Sequence, residues 1–388
     1  MLELLNFTPF PNFRYYSSDN RGRDFGVVIV KATYAIDAAG RLALAEEQAP
    51  LMFEDACHGA VNESSLWHPS DLVPNKPRTD LIVDAVARAP GGEAASSWTC
   101  GLSLLDGAGA KIMEKRLRVT GPREWRPRWR RRLDAEESRD WRAHRRLFAG
   151  WALTEPEPVT EVPLRYELAF GGTVAAGADD EGRPRFVCEV RNPIGRGLID
   201  PDWTDHTLPQ PAPRIEAEGE PVTDPGVAYA PQSLGPIPPA WEPRLPLGGT
   251  YDQHWIDHVW PDWAEDYSFA FHNSAHPDLI CPGHLAGGET ITLTHLMPGE
   301  AESRLVLPDH GMVAEFVRAD GATEARAMAL DTVFLDLAGA RREQARVFLT
   351  WRVTFEPDAF AAVRLITRAD RDAVQAALRG DGGGEETA

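Results

Sequence analysis

Imidazole and carboxylate side chains concentrate in one short stretch of this chain, and their spacing is the first feature that could support chemistry. His254 and His258 lie four residues apart, with Asp257 directly before the second. On a helix this spacing places both imidazoles on one face. The pattern matches the zinc-binding motif H-x-x-E-H with aspartate in place of glutamate. Among the histidines that follow, His272, His276 and His284 could complete a site. A zinc-dependent hydrolase that uses His254 and His258 is therefore one hypothesis; the alternative is that these histidines cap helices or form hydrogen bonds within the core.

Tryptophan is also concentrated in this stretch, from Trp241 to His276. It holds four of the twelve tryptophans, Trp241, Trp255, Trp260 and Trp263. Carboxylates are interleaved with them: Asp252, Asp257, Asp262 and Glu265. Aromatic rings beside two carboxylates are typical of glycoside-cleaving sites, so a carbohydrate-active enzyme is a second hypothesis. Since no spacing selects an acid–base pair, a structured connection that packs its rings on a sheet is the alternative.

Composition and motifs disfavour several other classes of protein. The net charge of −19 disfavours nucleic acid or an anionic membrane as a partner, because both require a basic surface. Neither G-x-x-x-x-G-K-[ST] nor G-x-S-x-G occurs, so a nucleotide loop and a nucleophile elbow are unsupported. The first residues lack the pattern of a secretory signal, and the four widely spaced cysteines are typical of buried thiols in a reducing compartment. We therefore expect a cytoplasmic protein with no membrane segment.

A basic segment, residues 123–146, reverses the overall charge. It mixes ten arginines with Trp125, Trp129 and Trp141. A nucleic-acid channel, a surface for an acidic protein and a solvated face are the three interpretations, and the acidic chain as a whole disfavours the first. Tryptophan and arginine are the residue types that dominate interface energetics. The candidates for partner contacts are Trp125, Trp129, Arg130, Trp255, Trp260 and Trp263.

Period-two alternation predicts a mainly β fold. The clearest run is 347–355; residues 25–36 with 41–44, and 98–105 with 111–120, are predicted hairpins. Proline-rich residues 208–239 are expected to be extended, and a short helix is expected after Asp370. We predict antiparallel sheets in sandwich or barrel-like units with long Pro/Gly-rich loops and a short C-terminal helix. The expected organisation is one domain, 1–378, followed by a disordered tail, 379–388; two β lobes divided somewhere in 150–290 are the alternative.

Several ordered pieces of sequence resemble one bacterial family. They are VVIVKATYAI, NKPRTDLIV, VTGPREW, VPLRYELAFGGT, NPIGRG, LPQPAPRI, SLGPIPPAW and GGTYDQHWIDHVWPDW. The chain is similar to the type VI secretion accessory proteins built on the domain of unknown function 2169, and the resemblance extends to about residue 355.

The resemblance implies a cytoplasmic adaptor or chaperone without catalytic residues, cofactor or metal. Its partners would be a secreted effector and the VgrG or PAAR-repeat spike protein that carries the effector. The motif residues that it implies are framework positions first and partner contacts second. They are Gly171, Gly172, Asn192, Pro193, Gly195, Gly249, Thr250, Tyr251 and Asp252.

Overall fold

The structure is a computed structural model that describes residues 2–37 and 40–374. Strands account for most of its regular structure. In chain order they are β1 (Glu3–Asn6), β2 (Asn12–Ser18), β3 (Asp24–Ile36), β4 (Leu42–Leu44), β5 (Ala56–Cys57), β6 (Leu66–His68), β7 (Asp80–Asp84), β8 (Val86–Arg88), β9 (Ser97–Leu105), β10 (Lys111–Thr120), β11 (Glu124–Trp129), β12 (Phe148–Leu153), β13 (Glu161–Pro163), β14 (Phe170–Gly171), β15 (Thr173–Ala178), β16 (Pro184–Cys188), β17 (Arg196–Gly197), β18 (Gln210–Pro211), β19 (Ile215–Ala217), β20 (Thr290–Thr294), β21 (Glu302–Val306), β22 (Met312–Val317), β23 (Thr323–Ala327), β24 (Ala329–Asp336), β25 (Arg346–Phe355) and β26 (Ala362–Thr367). Two short α-helices are described, α1 (Trp141–Leu147) and α2 (Gln253–His258).

The largest sheet is built on the two most apolar runs of the sequence. Its strand order is β2-β3-β25-β24-β7, with β4 paired to β3. All of these pairs are antiparallel except β24–β7. The predicted strands at 25–36 and 347–355, and the predicted hairpin partner of β3, are confirmed.

Two further sheets share one core with the first. The second has the order β19-β10-β9-β20-β21, and the third β1-β26-β22-β23. The predicted β9–β10 hairpin is confirmed. One continuous hydrophobic cluster joins Val30 and Leu349 of the first sheet to Leu104 of the second and Phe316 of the third. The mainly β prediction is confirmed, and within the described residues no sheet closes into a barrel.

The remaining chain forms short ribbons and long connections. Residues 80–88 divide at Ala85 into β7 of the first sheet and β8, which pairs with β13. The proline-rich residues 208–239 contain only β18 and β19, five strand residues in all, as their composition predicts. A helical turn begins after Asp370, whose carbonyl accepts from the Val374 N–H. Most of the predicted C-terminal helix and the predicted tail, 379–388, lie outside the described residues.

Charged side chains are buried on one face of the first sheet. The Lys31 ammonium lies 2.9 Å from an Asp71 carboxylate oxygen and 3.0 Å from His68 Nε2. Arg352 pairs with Asp331, and its guanidinium also donates to the Asp71 carbonyl at 3.0 Å. These side chains are buried because the irregular segment 50–80 covers this face. The alternation within the strands does not show this burial, because the covering segment is distant in sequence.

Two smaller sequence expectations can also be compared with the structure. Cys100 and Cys281 are buried thiols as predicted, but Cys57 is half-buried and Cys188 is exposed. Among the described residues, no helix combines the length and apolarity that a membrane crossing requires.

Candidate functional site

The best candidate for a functional surface is the segment 249–267, here called the aromatic platform. Its centre is helix α2, which begins because the Asp252 carboxylate accepts a hydrogen bond from the Trp255 N–H at 3.0 Å. An aspartate at this position satisfies an N–H group that has no partner within the helix. None of the residues of α2 is buried. The helix is therefore displayed on the surface and not packed into the core.

A hydrogen-bonded clasp closes the aromatic platform on itself. The Thr250 N–H and hydroxyl donate to the two Asp266 carboxylate oxygens at 2.8 and 2.7 Å. Hydrogen bonds from the Thr250 N–H and hydroxyl hold the pKa of Asp266 below its usual range. Gly249 has a φ of +92°, and a Cβ there would lie 2.7 Å from the Ala264 Cβ. The two ends of the segment are thus held together by a contact that a larger residue at 249 would disrupt.

The clasp presents a group of exposed apolar side chains. The exposed fractions are 67% for Trp260, 56% for Ile256 and 51% for Tyr251. Trp255 is half-buried: its ring centroid lies 4.9 Å from that of Tyr251, and its indole N–H donates to the Asp262 carbonyl at 2.9 Å. Trp263 is half-buried against the Tyr267 ring at 4.3 Å. Of the three predicted tryptophans here, Trp260 is exposed, while the half-buried Trp255 and Trp263 contact other residues of the segment.

Carboxylates surround these rings. Asp257, Asp262 and Glu265 are exposed, and the described structure shows no ion pair for any of them. A shallow cleft of about 160 Å³ runs along the base of the helix between Asp252, Trp255 and Asp266. The surface therefore combines exposed aromatic area with uncompensated negative charge.

The histidines that suggested a zinc site separate into two groups. His254 and His258 lie side by side on the exposed helix, with ring centroids 4.9 Å apart, but only His254 lines the cleft. The three downstream histidines make other hydrogen bonds: His272 to Tyr267, His276 near Lys115, and His284 to the Lys76 carbonyl. Within the described ranges, no group of three or more His, Cys, Asp or Glu side chains is arranged to hold a metal ion. The structure does not bring the predicted ligand set together.

The basic segment 123–146 forms a second surface. Trp125 is only 1% exposed and packs in a small cluster with Phe170 and Tyr229. Trp129 is half-buried against His144 and Phe148, at 5.1 and 6.0 Å between ring centroids, and Arg130 is exposed. The structure thus leaves Trp129 and Arg130 available to a partner, whereas Trp125 offers no surface.

The framework residues around Asn192 lock two turns together. The Asn192 side-chain amide is buried and donates to the carbonyls of Tyr166 and Phe170 at 2.8 and 2.9 Å. A Cβ on Gly171 would lie 2.2 Å from the Asn192 carbonyl oxygen, and one on Gly195 would lie 2.4 Å from the Asn192 side-chain nitrogen. The neighbouring Gly172 N–H donates to the Asn192 carbonyl. Pro193 lies directly after Asn192, and its carbonyl accepts a hydrogen bond from the Thr173 hydroxyl. These contacts explain why small residues and one amide occur together here.

Comparison with known protein families identifies the family to which the chain belongs. Residues 21–352 match the sequence model of a bacterial family described as "Uncharacterized protein conserved in bacteria (DUF2169)". The chain belongs to the DUF2169 family. The match includes both the aromatic platform and the Asn192 turns of this DUF2169 protein. No curated protein and no solved structure matches the chain.

Sequence reasoning missed two parts of this surface. Ile256 was not selected, although it lies on α2 between the selected residues Trp255 and Trp260. Leu245, 54% exposed and just before the aromatic platform, was also missed. Hydropathy pattern alone does not separate an exposed apolar residue from a core residue, because the distinction depends on which distant segments cover it.

Proposed function

We propose that this DUF2169 protein is a cytoplasmic adaptor or chaperone of a type VI secretion system. It binds a secreted effector and helps to load it onto the VgrG or PAAR spike protein. The observation that carries the proposal is the exposure of Tyr251, Ile256 and Trp260 on a segment whose ends are joined by the Thr250–Asp266 hydrogen bond. The family resemblance in sequence supplies the secretion context.

The aromatic platform has the properties of a docking surface. Large aromatic side chains in pre-ordered positions supply most of the binding energy in protein interfaces. A partner would order few additional side chains here, because the Thr250–Asp266 clasp and the Trp255 indole hydrogen bond already fix the segment. The exposed carboxylates of Asp257, Asp262 and Glu265 favour a partner segment that is basic and apolar.

The test is capture of the partner from the native bacterial host. The tagged protein is expressed at its normal level, purified after mild cross-linking, and the bound proteins are identified by mass spectrometry. We expect an effector or a spike protein, and we expect deletion of the gene to abolish secretion of that effector without lowering its synthesis.

Two results would contradict the proposal. One is capture that recovers no effector and no spike protein in repeated purifications. The other is unchanged effector secretion after deletion of the gene. A variant with Trp260→Ala separates a loss of docking from a loss of the whole protein, since it keeps the core intact.

A further inference from the structure

Three arginines lie on one face of strand β11, outside the aromatic platform. Burial alternates along this strand: Trp125 is buried, whereas Arg126 and Arg128 are exposed. Arg130 is also exposed and continues the strand by one step, because its N–H donates to the Leu147 carbonyl at 2.8 Å. Residues two apart on a strand share a face and are separated by about 6.6 Å. Arg126, Arg128 and Arg130, here called the arginine row, therefore form a line with regular spacing.

The neighbouring strand leaves this face of β11 open. Ala152 of β12 pairs with Arg126, and the register then shifts so that Ala149 and Gly150 together stand opposite Arg128. The extra residue belongs to β12, so β11 keeps its regular alternation. A Cβ on Gly150 would have no atom within 4 Å apart from its chain neighbours. The residues beside the arginine row are thus too small to cover its guanidinium groups.

Carboxylates compensate the arginine row only in part. Glu124 lies 3.4 Å from the Arg126 guanidinium, and the exposed fractions of these two side chains are 47% and 66%. An exposed pair of this kind is weak and exchanges readily with other partners. Arg128 and Arg130 are exposed, and the described structure shows no ion pair for either. Two of the three charges in the row are therefore uncompensated.

The other carboxylates of the basic segment do not neutralise the row. Glu137 forms two hydrogen bonds with Arg131, at 2.6 and 2.7 Å. Asp134 accepts from the Glu137 N–H, and Asp140 caps helix α1. Glu136 is exposed, and the described structure shows no ion pair for it. Ten arginines against five carboxylates leave this segment a surplus of five positive charges, which favours an anionic partner.

The charge of the rest of the chain favours a short acidic polypeptide over a nucleic acid. The whole chain carries −19 and the basic segment +5, so the remainder carries −24. This remainder repels a nucleic acid, whose phosphates continue beyond a site of three arginines. An acidic stretch of polypeptide can end within the positive surface. In an extended polypeptide, alternate side chains also face one way at intervals of about 6.6 Å, which is the spacing of the arginine row.

We infer that the arginine row binds an extended acidic segment of a partner polypeptide, with carboxylates at alternate positions facing Arg126, Arg128 and Arg130. The aromatic platform carries uncompensated carboxylates and would repel such a segment, so the two surfaces bind different segments. That the acidic segment belongs to an effector or a spike protein rests on the proposed function. The binding of an acidic segment to the row does not.

The test compares two labelled peptides of about ten residues by fluorescence anisotropy with the full chain at low salt. Both contain the same number of glutamates among threonines, at every second position in one peptide and at every third in the other. Spacing by three turns successive carboxylates to opposite faces of an extended chain. We therefore expect the alternating peptide to bind at least about threefold more tightly, and added salt to weaken its binding.

Two matched variants separate the arginine row from the general charge of the protein. Arg128→Gln combined with Arg130→Gln should weaken binding of the alternating peptide about fivefold, the effect of losing two exposed ion pairs. Arg183→Gln combined with Arg185→Gln removes the same charge from two exposed positions, also two residues apart, at strand β16. This control should leave the affinity unchanged. Since all four side chains are exposed, both variants should keep the folded structure.

The inference is overturned if the two peptides bind equally, if neither binds, or if the Arg128 and Arg130 variant binds like the unaltered protein. An equal loss in the control variant would overturn it as well. Tighter binding of an oligothymidylate of equal charge would assign the row to nucleic acid. Self-association of the protein that the Arg128 and Arg130 variant abolishes would assign it to a second copy. Either result would overturn the assignment to a partner's acidic segment.

These outcomes are independent of partner capture. Recovery of an effector with no binding of the alternating peptide removes this inference alone. The expected peptide result without a captured effector or spike protein removes the proposed function alone.

Discussion

At the scale of single residues, the buried charges of the first sheet are a feature that the sequence pattern does not predict. Lys31 and Arg352 stand in strands that the alternation identified correctly, yet both are buried. Their partners explain why: Asp71 is 40 residues from Lys31 in sequence and meets it only after the chain has folded over the sheet. A pattern of neighbouring residues cannot contain that information. The same limit applies to Trp125, which resembled a surface anchor but is covered by Phe170 and Tyr229.

We predict that Asp71→Ala destabilises the protein by about 3–5 kcal/mol, because it leaves the Lys31 ammonium buried without its carboxylate. Although burial raises the pKa of Asp71, the nearby Lys31 charge brings it below the usual range, so the native pair is charged at neutral pH. Urea unfolding followed by tryptophan fluorescence measures the change.

The control for this prediction is Glu181→Ala, which breaks an exposed pair with Arg183. Surface pairs contribute little to stability, so the unfolding curve should not move. An Asp71→Ala curve that coincides with the Glu181→Ala curve would show that the buried pair has no stabilising role.

At the scale of elements, turn and capping residues explain the aromatic platform better than helix propensity does. Asp252 caps the N-terminus of α2, and the hydrogen bond from Thr250 to Asp266 holds the two ends of the segment together. The sequence predicted the tryptophans and the Gly249–Asp252 motif as parts of one unit, and they do lie together. It did not predict the clasp, because Thr250 and Asp266 are 16 residues apart with no periodic relation between them.

Thr250→Val is expected to loosen the aromatic platform without unfolding the sheets. Valine keeps the shape of threonine but removes the hydroxyl that donates to Asp266. Amide hydrogen exchange should become several-fold faster in α2 and remain unchanged in β3 and β25. Thr292→Val on β20 is the matched control, and equal exchange in the two variants would refute a role for the clasp.

At the scale of the whole molecule, buried neutral histidines make stability depend on pH. Burial and the nearby Lys31 charge lower the pKa of His68 to about 4, and burial with the Arg244 charge lowers the pKa of His272 to about 3. His276 behaves similarly, with a pKa of about 4. An unfolded histidine has a pKa near 6.5, so between pH 6.5 and 4 the unfolded chain binds more protons than the folded protein. Acidification through this window therefore favours unfolding.

We predict that the free energy of unfolding falls by about 2 kcal/mol for each of these histidines between pH 7.5 and pH 5. Urea unfolding at pH 7.5, 6.0 and 5.0 measures the effect. His68→Gln should reduce this loss of unfolding free energy. For each variant, the free energy at pH 6.0 and 5.0 is compared with the value of the same variant at pH 7.5. A stability that stays constant from pH 7.5 to pH 5 would contradict the buried, neutral state of these side chains.

Docking through the exposed rings of the aromatic platform is the central claim, and the affinity of a Trp260→Ala variant for the captured effector or spike protein tests it most directly. Trp203, 52% exposed elsewhere on the surface, provides the matched control. Isothermal titration should show at least about a 30-fold weaker dissociation constant for Trp260→Ala, the effect of losing one interface hot spot. Trp203→Ala should bind like the unaltered protein. Equal affinities for all three proteins would contradict the claim.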